Sequence, residues 1–366
     1  MSIDKERVRK VCQRLITGVK FKSINIKKAL FIFAGLVVLS AIAGMFSVWF
    51  IIYKNNVKKN TQQVITISKE ASIADIIDTL KSKDILKNYT TFDIVSDLKS
   101  YPDLIKPGRY MIKPGMNNNK IVNMLRVGNQ VTIKLVFNNI RNIHQLAGVI
   151  GKQIESDSLQ VLNALKNDSL MLSVGADTMN VLGIMIPNTY EVYWNLTAEG
   201  FVKRMGKEHK RFWNKKRLKK AKKIGLTPRE VSILASIVQE ETTFYKEMPK
   251  VAGVYINRLK RGIRLQADPT VKYAVGDFTI KRVLNKHLAY DSPYNTYRYK
   301  GLPPTVISMP TIQAIEAVLD YDKHKYLYFC AKDDFSGRHA FAKTLKEHNR
   351  NAARYRRALN KRRIYK

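Results

Sequence analysis

Among the residues whose type and placing could do chemistry, Glu241 stands first. It lies at the end of the run Thr227-Pro228-Arg229-Glu230-Val231-Ser232-Ile233-Leu234-Ala235-Ser236-Ile237-Val238-Gln239-Glu240-Glu241-Thr242. Thr227, Pro228 and Glu230 supply an N-cap hydroxyl, a proline for the first helical position and a capping-box glutamate. At about 100° per residue, Val231, Ile233, Leu234, Ala235, Ile237 and Val238 share one arc of roughly 200°. Ser232, Ser236, Gln239 and Glu240 face the other way, and Glu241 falls inside the apolar arc, between Ile237 and Leu234. A carboxyl held among aliphatic side chains is desolvated when it ionises, so its pKa rises. That keeps a glutamate protonated near neutral pH, ready to act as a general acid. A frayed helix end, or an ion pair with a buried arginine, would account for the same residue without chemistry.

The elements that must position such a group follow from patterning. Val64–Ile67 alternates like a strand, and Ser72 with Asp75 caps a helix bearing Ile73, Ile76, Ile77 and Leu80. A helix at Thr91–Leu98, a strand at Gly108–Ile112, a turn at Pro114-Gly115, a helix at Asn118–Leu125 and a strand at Val131–Phe137 come next. Residues 140–226 read as mostly helical, interrupted at Gly183–Glu191. A second amphipathic helix covers Val251–Leu259. From Gly262 the chain is rich in loop residues and side-chain chemistry: Arg264-Leu265-Gln266-Ala267-Asp268-Pro269-Thr270, Ser292-Pro293-Tyr294-Asn295-Thr296-Tyr297 and Gly301-Leu302-Pro303-Pro304. Polar, aromatic and Pro/Gly residues gathered this way build clefts more often than cores. Tyr326–Ala331 is expected as a central apolar strand, with Tyr328 and Phe329 in the core. A basic helix begins near Lys346.

Ala29–Tyr53 is 25 residues without a charge, about 37 Å as a helix and enough to cross a bilayer. The 28 residues before it hold nine Lys/Arg and two acids, which places the N-terminus in the cytoplasm and residues 54–366 outside. A cleaved signal peptide fits less well, since the apolar stretch is long and no small-x-small site follows. The two cysteines, Cys12 and Cys330, then fall on opposite sides of the membrane and cannot pair within one chain. The formal net charge is +36, densest over Lys203–Lys223. On charge alone a nucleic-acid binder is a rival reading, but an exported domain meets anionic lipid and wall polymers instead. His339 and His348 are nine residues apart with no HExxH pattern and no cysteine pair nearby, so neither a metal nor a cofactor is expected.

Taken together, these segments resemble the endolytic murein transglycosylases, the MltG/YceG-like family. The resemblance is carried by Ala235–Thr242, Val251-Ala252 with Asn257-Arg258-Leu259, Leu265–Val271, Tyr294–Tyr297, Gly301–Pro304, Tyr326–Phe329, and His339 with His348-Asn349, in family order and spacing. It implies an α+β fold: a cytoplasmic basic tail (1–28), a single N-terminal transmembrane helix (29–53), a stalk (54–60), a small LysM-like α+β module (61–130) and a mixed α+β catalytic domain (131–366). It implies that Glu241 is the catalytic acid, protonating the oxygen between MurNAc and GlcNAc. The same carboxylate then takes the proton of the MurNAc C6 hydroxyl as that oxygen closes a 1,6-anhydro ring on C1, with no water consumed. Gln266, Tyr294, Asn295 and Tyr297 are expected to hold the sugar, with Thr270 and His339 also near the cleft. Asp268 is either a helper carboxylate or a cap on the turn at Pro269. Asn257 and Arg258 are expected to orient groups, Arg258 through an ion pair with an acid such as Glu247.

This chain departs from the family pattern in three places. Gln239 stands where many relatives have another glutamate, Asn188 where they have Asp before Thr-Tyr, and Leu182 where they often have Glu. No acid role is therefore expected in the 182–190 loop. The implied partners are peptidoglycan glycan strands, the inner membrane and the penicillin-binding proteins of the synthetic machinery, with no nucleic acid. A non-catalytic peptidoglycan-binding scaffold is the rival from another functional class.

Overall fold

A computed structural model of the chain describes Glu6, Arg9 and residues 26–58, 60 and 62–362. Most of the expected basic tail, with Cys12, lies outside the described residues. Among the described residues the architecture is mixed α and β, with three two-stranded sheets among many helices: β1 (Gln63–Ile67) with β2 (Gly108–Ile112), β3 (Thr132–Val136) with β4 (Thr189–Tyr193), and β5 (Tyr328–Ala331) with β6 (His339–Ala342). The chain divides into two compact units: Met1–Ile65 with Ala71–Lys106 and Tyr110–Asn129, and Thr66–Glu70 with Pro107–Arg109 and Gln130–Lys366.

The first unit includes an apolar helix, Ile26–Tyr53, whose side chains from Lys27 onward are exposed or half-buried. An 18-residue window within its span Lys27–Tyr53 has a mean hydropathy of 2.5. The rings of Phe46, Trp49 and Tyr53 follow one another at 5.9 Å spacing near its C-terminal end, the kind of amphipathic ring cluster favoured at a membrane–water interface. A helix leaves its last carbonyls without partners. Here Asn117 Nδ2 donates to the Tyr53 carbonyl at 3.1 Å and Asn118 Nδ2 to that of Ile51 at 3.0 Å. The polar segment that follows is packed: Asn56 and Val57 are buried, and Val57 bridges to Leu86. Helices Ile73–Ser82, Tyr89–Leu98 and Asn118–Val127 enclose a core that includes Ile76, Leu80, Phe92, Val95, Ile121 and Leu125. The Ser72/Asp75 capping box forms as the sequence requires.

In the second unit β3 (Thr132–Val136) pairs antiparallel with β4 (Thr189–Tyr193), Thr132 opposite Tyr193. The interruption read at Gly183–Glu191 therefore leads into a strand. Around this pair pack helices Ile143–Gly151, Ser158–Leu165, Asp168–Ser173 and Ala198–Phe212, with Leu146, Val161, Phe201 and Met205 in the core. Asn142, Asp157, Asn167 and Thr197 each cap one of these helices through a side-chain oxygen. The basic helix Lys215–Ile224 is tied to Ile312–Leu319 by Arg217–Glu316 at 2.7 Å and by Lys220–Asp320.

A second core surrounds the helix Pro228–Glu241, packed by Met248–Lys260 and Ile312–Leu319. Every residue from Val231 to Val238 is buried, the two serines included. The arc assigned to polar company thus faces protein rather than solvent. Ser236 Oγ accepts the Ile307 amide and donates to the Ile233 carbonyl, while the Gln239 amide group bonds the main chain at Met309 and Thr311. Among the described residues β5 (Tyr328–Ala331) pairs only with β6 (His339–Ala342), and all four β5 residues are partly exposed. This corrects the expectation of a central strand: its apolar aromatic sequence serves one face against the core and one edge of a cleft.

Candidate active site

Glu241 is the last residue of its helix, and Thr242 follows in extended conformation, so the chain turns away directly after the carboxyl. About two turns into the facing helix, Tyr255 is fully buried and its hydroxyl donates to Glu241 Oε1 at 2.7 Å. Burial drives the Glu241 pKa from its ordinary 4.5 up to about 7. The Tyr255 hydrogen bond opposes that rise, repulsion from Asp268 adds to it, and Lys272 and Arg258 pull it back in smaller measure. A helix C-terminus, carrying partial negative charge, also disfavours an anion there. The arrangement holds a carboxyl close to half-protonated at neutral pH. Neither a frayed end nor an arginine partner describes it.

Three residues beyond Tyr255, Arg258 is nearly inaccessible and acts as a hub. Its guanidinium donates to the carbonyls of Leu327 at 2.6 Å, Leu265 at 2.8 Å and Arg264 at 3.1 Å, and to Gln266 Oε1 at 3.2 Å. The ion pair expected between Arg258 and Glu247 is not made. Glu247 Oε2 lies 2.7 Å from His339 Nδ1, and Glu247 Oε1 accepts the His339 amide at 3.0 Å. The competing carbonyls sit within the arginine's own fork, whereas Glu247 sits beside β6. Asn257 donates to the carbonyls of His324 and Tyr326, an orienting role.

Pinned by Arg258, Gln266 adopts φ 53°, a left-handed conformation unusual for a residue with a side chain. It presents an exposed amide at the mouth of the site. Asp268 does not cap the turn at Pro269: it is the first residue of a helix, Asp268–Val275, whose N-cap Ala267 has no side-chain bond. Asp268 Oδ1 instead accepts the Tyr297 hydroxyl at 2.6 Å, a bond that helps push the Tyr297 phenol far above its usual range after burial has done most of the work.

A cleft of about 260 Å³ gathers Glu241, Gln266, Asp268, Tyr297 and His339, with Tyr255 and Arg258 in its wall. Phe329 and Cys330 also line it; Phe329, expected in the core, is partly exposed to the cleft because β5 is an edge. Three sequence-derived site residues are placed elsewhere. Thr270 is buried beneath the cleft, its hydroxyl 2.8 Å from that of Thr296. Asn295 is fully buried and holds its loop by donating to the Leu288 and Tyr290 carbonyls. The Tyr294 hydroxyl is 2.8 Å from that of Thr305, and its ring packs against Tyr273. Tyr255 was not legible as a site residue: its hydroxyl is one polar atom in an otherwise apolar buried row, and only the crossing of two helices brings it to Glu241.

With this geometry established, comparison with known proteins is decisive. The YceG-like family profile matches residues 65–354. The chain belongs to the YceG-like family. All the cleft side chains named above fall within the matched span. The chain is 31% identical over 309 residues to the endolytic murein transglycosylase of Bacillus subtilis (strain 168), covering 80% of this chain and 84% of that relative. It is 25% identical over 333 residues to the endolytic murein transglycosylase of Streptococcus pneumoniae serotype 2 (strain D39 / NCTC 7466), covering 81% of this chain and 59% of that longer protein. A crystal structure of a YceG-like protein from Listeria monocytogenes is similar with a TM-score of 0.53 at 28% identity, covering 80% of this chain and 99% of that one.

Proposed function

We propose that this YceG-like protein is an endolytic peptidoglycan lytic transglycosylase, a lyase that cuts the MurNAc–GlcNAc bond and leaves 1,6-anhydroMurNAc ends. The observation that carries the reading is Glu241, with its pKa raised to about 7 by burial at the floor of an open cleft. At that pKa one group can serve both halves of the reaction. Its protonated form donates to the glycosidic oxygen as the bond to C1 breaks. The carboxylate so formed takes the proton of the C6 hydroxyl, whose oxygen attacks C1. Proton and electron pairs balance without water. Tyr255 occupies Oε1 and so leaves the other oxygen to exchange the proton. Gln266 and the Asp268–Tyr297 pair supply neutral and charged acceptors at the cleft edge to hold the sugar and its N-acetyl group. His339, fixed by Glu247, forms the opposite wall.

The apolar helix Ile26–Tyr53 supports a single-pass anchor in the inner membrane, with the basic tail cytoplasmic and the cleft outside. In this reading the residues 61–130 form a LysM-like module near the membrane, and the enzyme terminates nascent strands beside the penicillin-binding proteins that make them. Mass spectrometry of the products from purified glycan strands tests the chemistry. Anhydro ends lost on Glu241→Gln agree with it; reducing ends would make the protein a hydrolase and direct attention to Asp268.

A further inference from the structure

A second hollow, about 480 Å³, opens beside the cleft. The two are separated by the Glu247–His339 pair: Glu247 lines the second hollow, His339 lines the first, and they are bonded at 2.7 Å. The second hollow begins two residues after Glu241, at Thr243, and continues through Phe244, Tyr245 and Lys246 to Lys250. Arg338 and Asp322 complete it. Its chemistry differs from that of the cleft. Phe244 and Tyr245 are exposed aromatic side chains. The Arg338 guanidinium lies 5.8 Å from the Phe244 ring, and Lys250 Nζ lies 5.3 Å from that of Phe341. Gly337, at φ 74°, allows this approach, since a Cβ there would meet Phe244 at 3.0 Å. Among the described residues Lys246, Lys250 and Arg338 make no ion pair, nor does Asp322. Three cations without an ion pair, two of them over aromatic faces, with one carboxylate also outside any ion pair, form a surface for an acidic peptide that also carries an amine or amide.

We propose that this hollow is a subsite for the peptide stem of the muramic residue whose C1 reacts beside Glu241. The inference rests on the transglycosylase reading above. On that sugar the stem leaves from the lactyl group on C3, two ring carbons from C1, so it must emerge within a few bonds of the reacting atom. A stem built from alanine, glutamate and a diamino acid presents carboxylates to Lys246, Lys250 and Arg338 and methyl groups to Phe244 and Tyr245. Its side-chain amine, where free, faces Asp322. The subsite makes the enzyme prefer strands that still bear their stems over strands that an amidase has stripped.

The test is binding in the full-length Glu241→Gln protein, which holds strands without cutting them. Fluorescently labelled strands with stems, and the same strands after amidase treatment, are titrated in detergent. Stem-bearing strands are expected to bind about tenfold more tightly, the scale of two or three partly exposed ion pairs. Lys246→Ala with Lys250→Ala should remove that advantage and weaken stripped strands by less than twofold, and added salt should act in the same direction. Equal affinity for both strands, or an equal loss on both in the double variant, overturns the subsite. Failure of the underlying reading shows separately, as the absence of anhydro ends when the unsubstituted protein acts on either strand.

Discussion

Replacing Glu241 by glutamine should change how stability depends on pH, independently of catalysis. In the unfolded chain the carboxyl titrates near its ordinary 4.5; in the fold it titrates near 7. Below both values it is neutral in both states and contributes no penalty. Between them the native state binds more protons than the unfolded state, so stability falls as pH rises through that window. Above 7 the loss is complete, and the difference of 2.5 in pKa corresponds to a ceiling of about 3 kcal/mol, reduced by whatever solvent screening the cleft allows. Glu241→Gln keeps the shape and keeps an oxygen for Tyr255 to donate to, while removing the titration. Urea unfolding of both proteins at pH 4 and pH 8, followed by tryptophan fluorescence in the same detergent, isolates the term. All other groups cancel in the difference between the two pH responses. Wild type should lose up to about 3 kcal/mol more than the variant between these pH values. Parallel pH responses would show that Glu241 is not desolvated and would remove the basis for its acid role.

Other substitutions follow from the same contacts. Tyr255→Phe deletes a bond that favours the carboxylate, so the Glu241 pKa rises further and the alkaline limb of the pH–rate profile moves to higher pH; a limb that stays or moves down contradicts this. Glu240→Gln removes only a part-exposed contact with Arg141 at 3.4 Å, so turnover should hold and stability should change by less than about 1 kcal/mol by urea unfolding. Arg258→Met leaves three carbonyls without their donor and should destabilise by about 2–4 kcal/mol, measured the same way. Neutralising Lys215, Lys216, Lys219, Lys222 and Lys223, all exposed, should weaken sedimentation with anionic vesicles or wall polymer more than turnover of short soluble glycans.

What could be read from the sequence was what is local. The capping boxes at Ser72/Asp75 and Thr227/Glu230, the apolar helix and the amphipathic helix that ends at Glu241 depend on neighbours within a turn or on simple periodicity. The helix Asp268–Val275 carried local signals too, Pro269 in its first turn and Gly276 in the left-handed cap, but it lay in a stretch whose Pro, Gly and Tyr content reads as loop. What could not be read is what needs a partner distant in the chain. β4 exists because β3 lies beside it, and β5 is an edge because only β6 pairs with it. The same limit hid the Tyr255–Glu241 bond and the transfer of Glu247 from Arg258 to His339. Tyr294 and Asn295 sit in the right loop with the right chemistry, yet their side chains hold that loop together rather than line the cleft.

The claim that one carboxyl closes an anhydro ring without water is tested most directly by running the reaction in water enriched in oxygen-18 and weighing the new ends. Cleavage is expected with no heavy oxygen at the muramic terminus and a mass lower by one water than a reducing end. Incorporation of one heavy oxygen at each new end would contradict it.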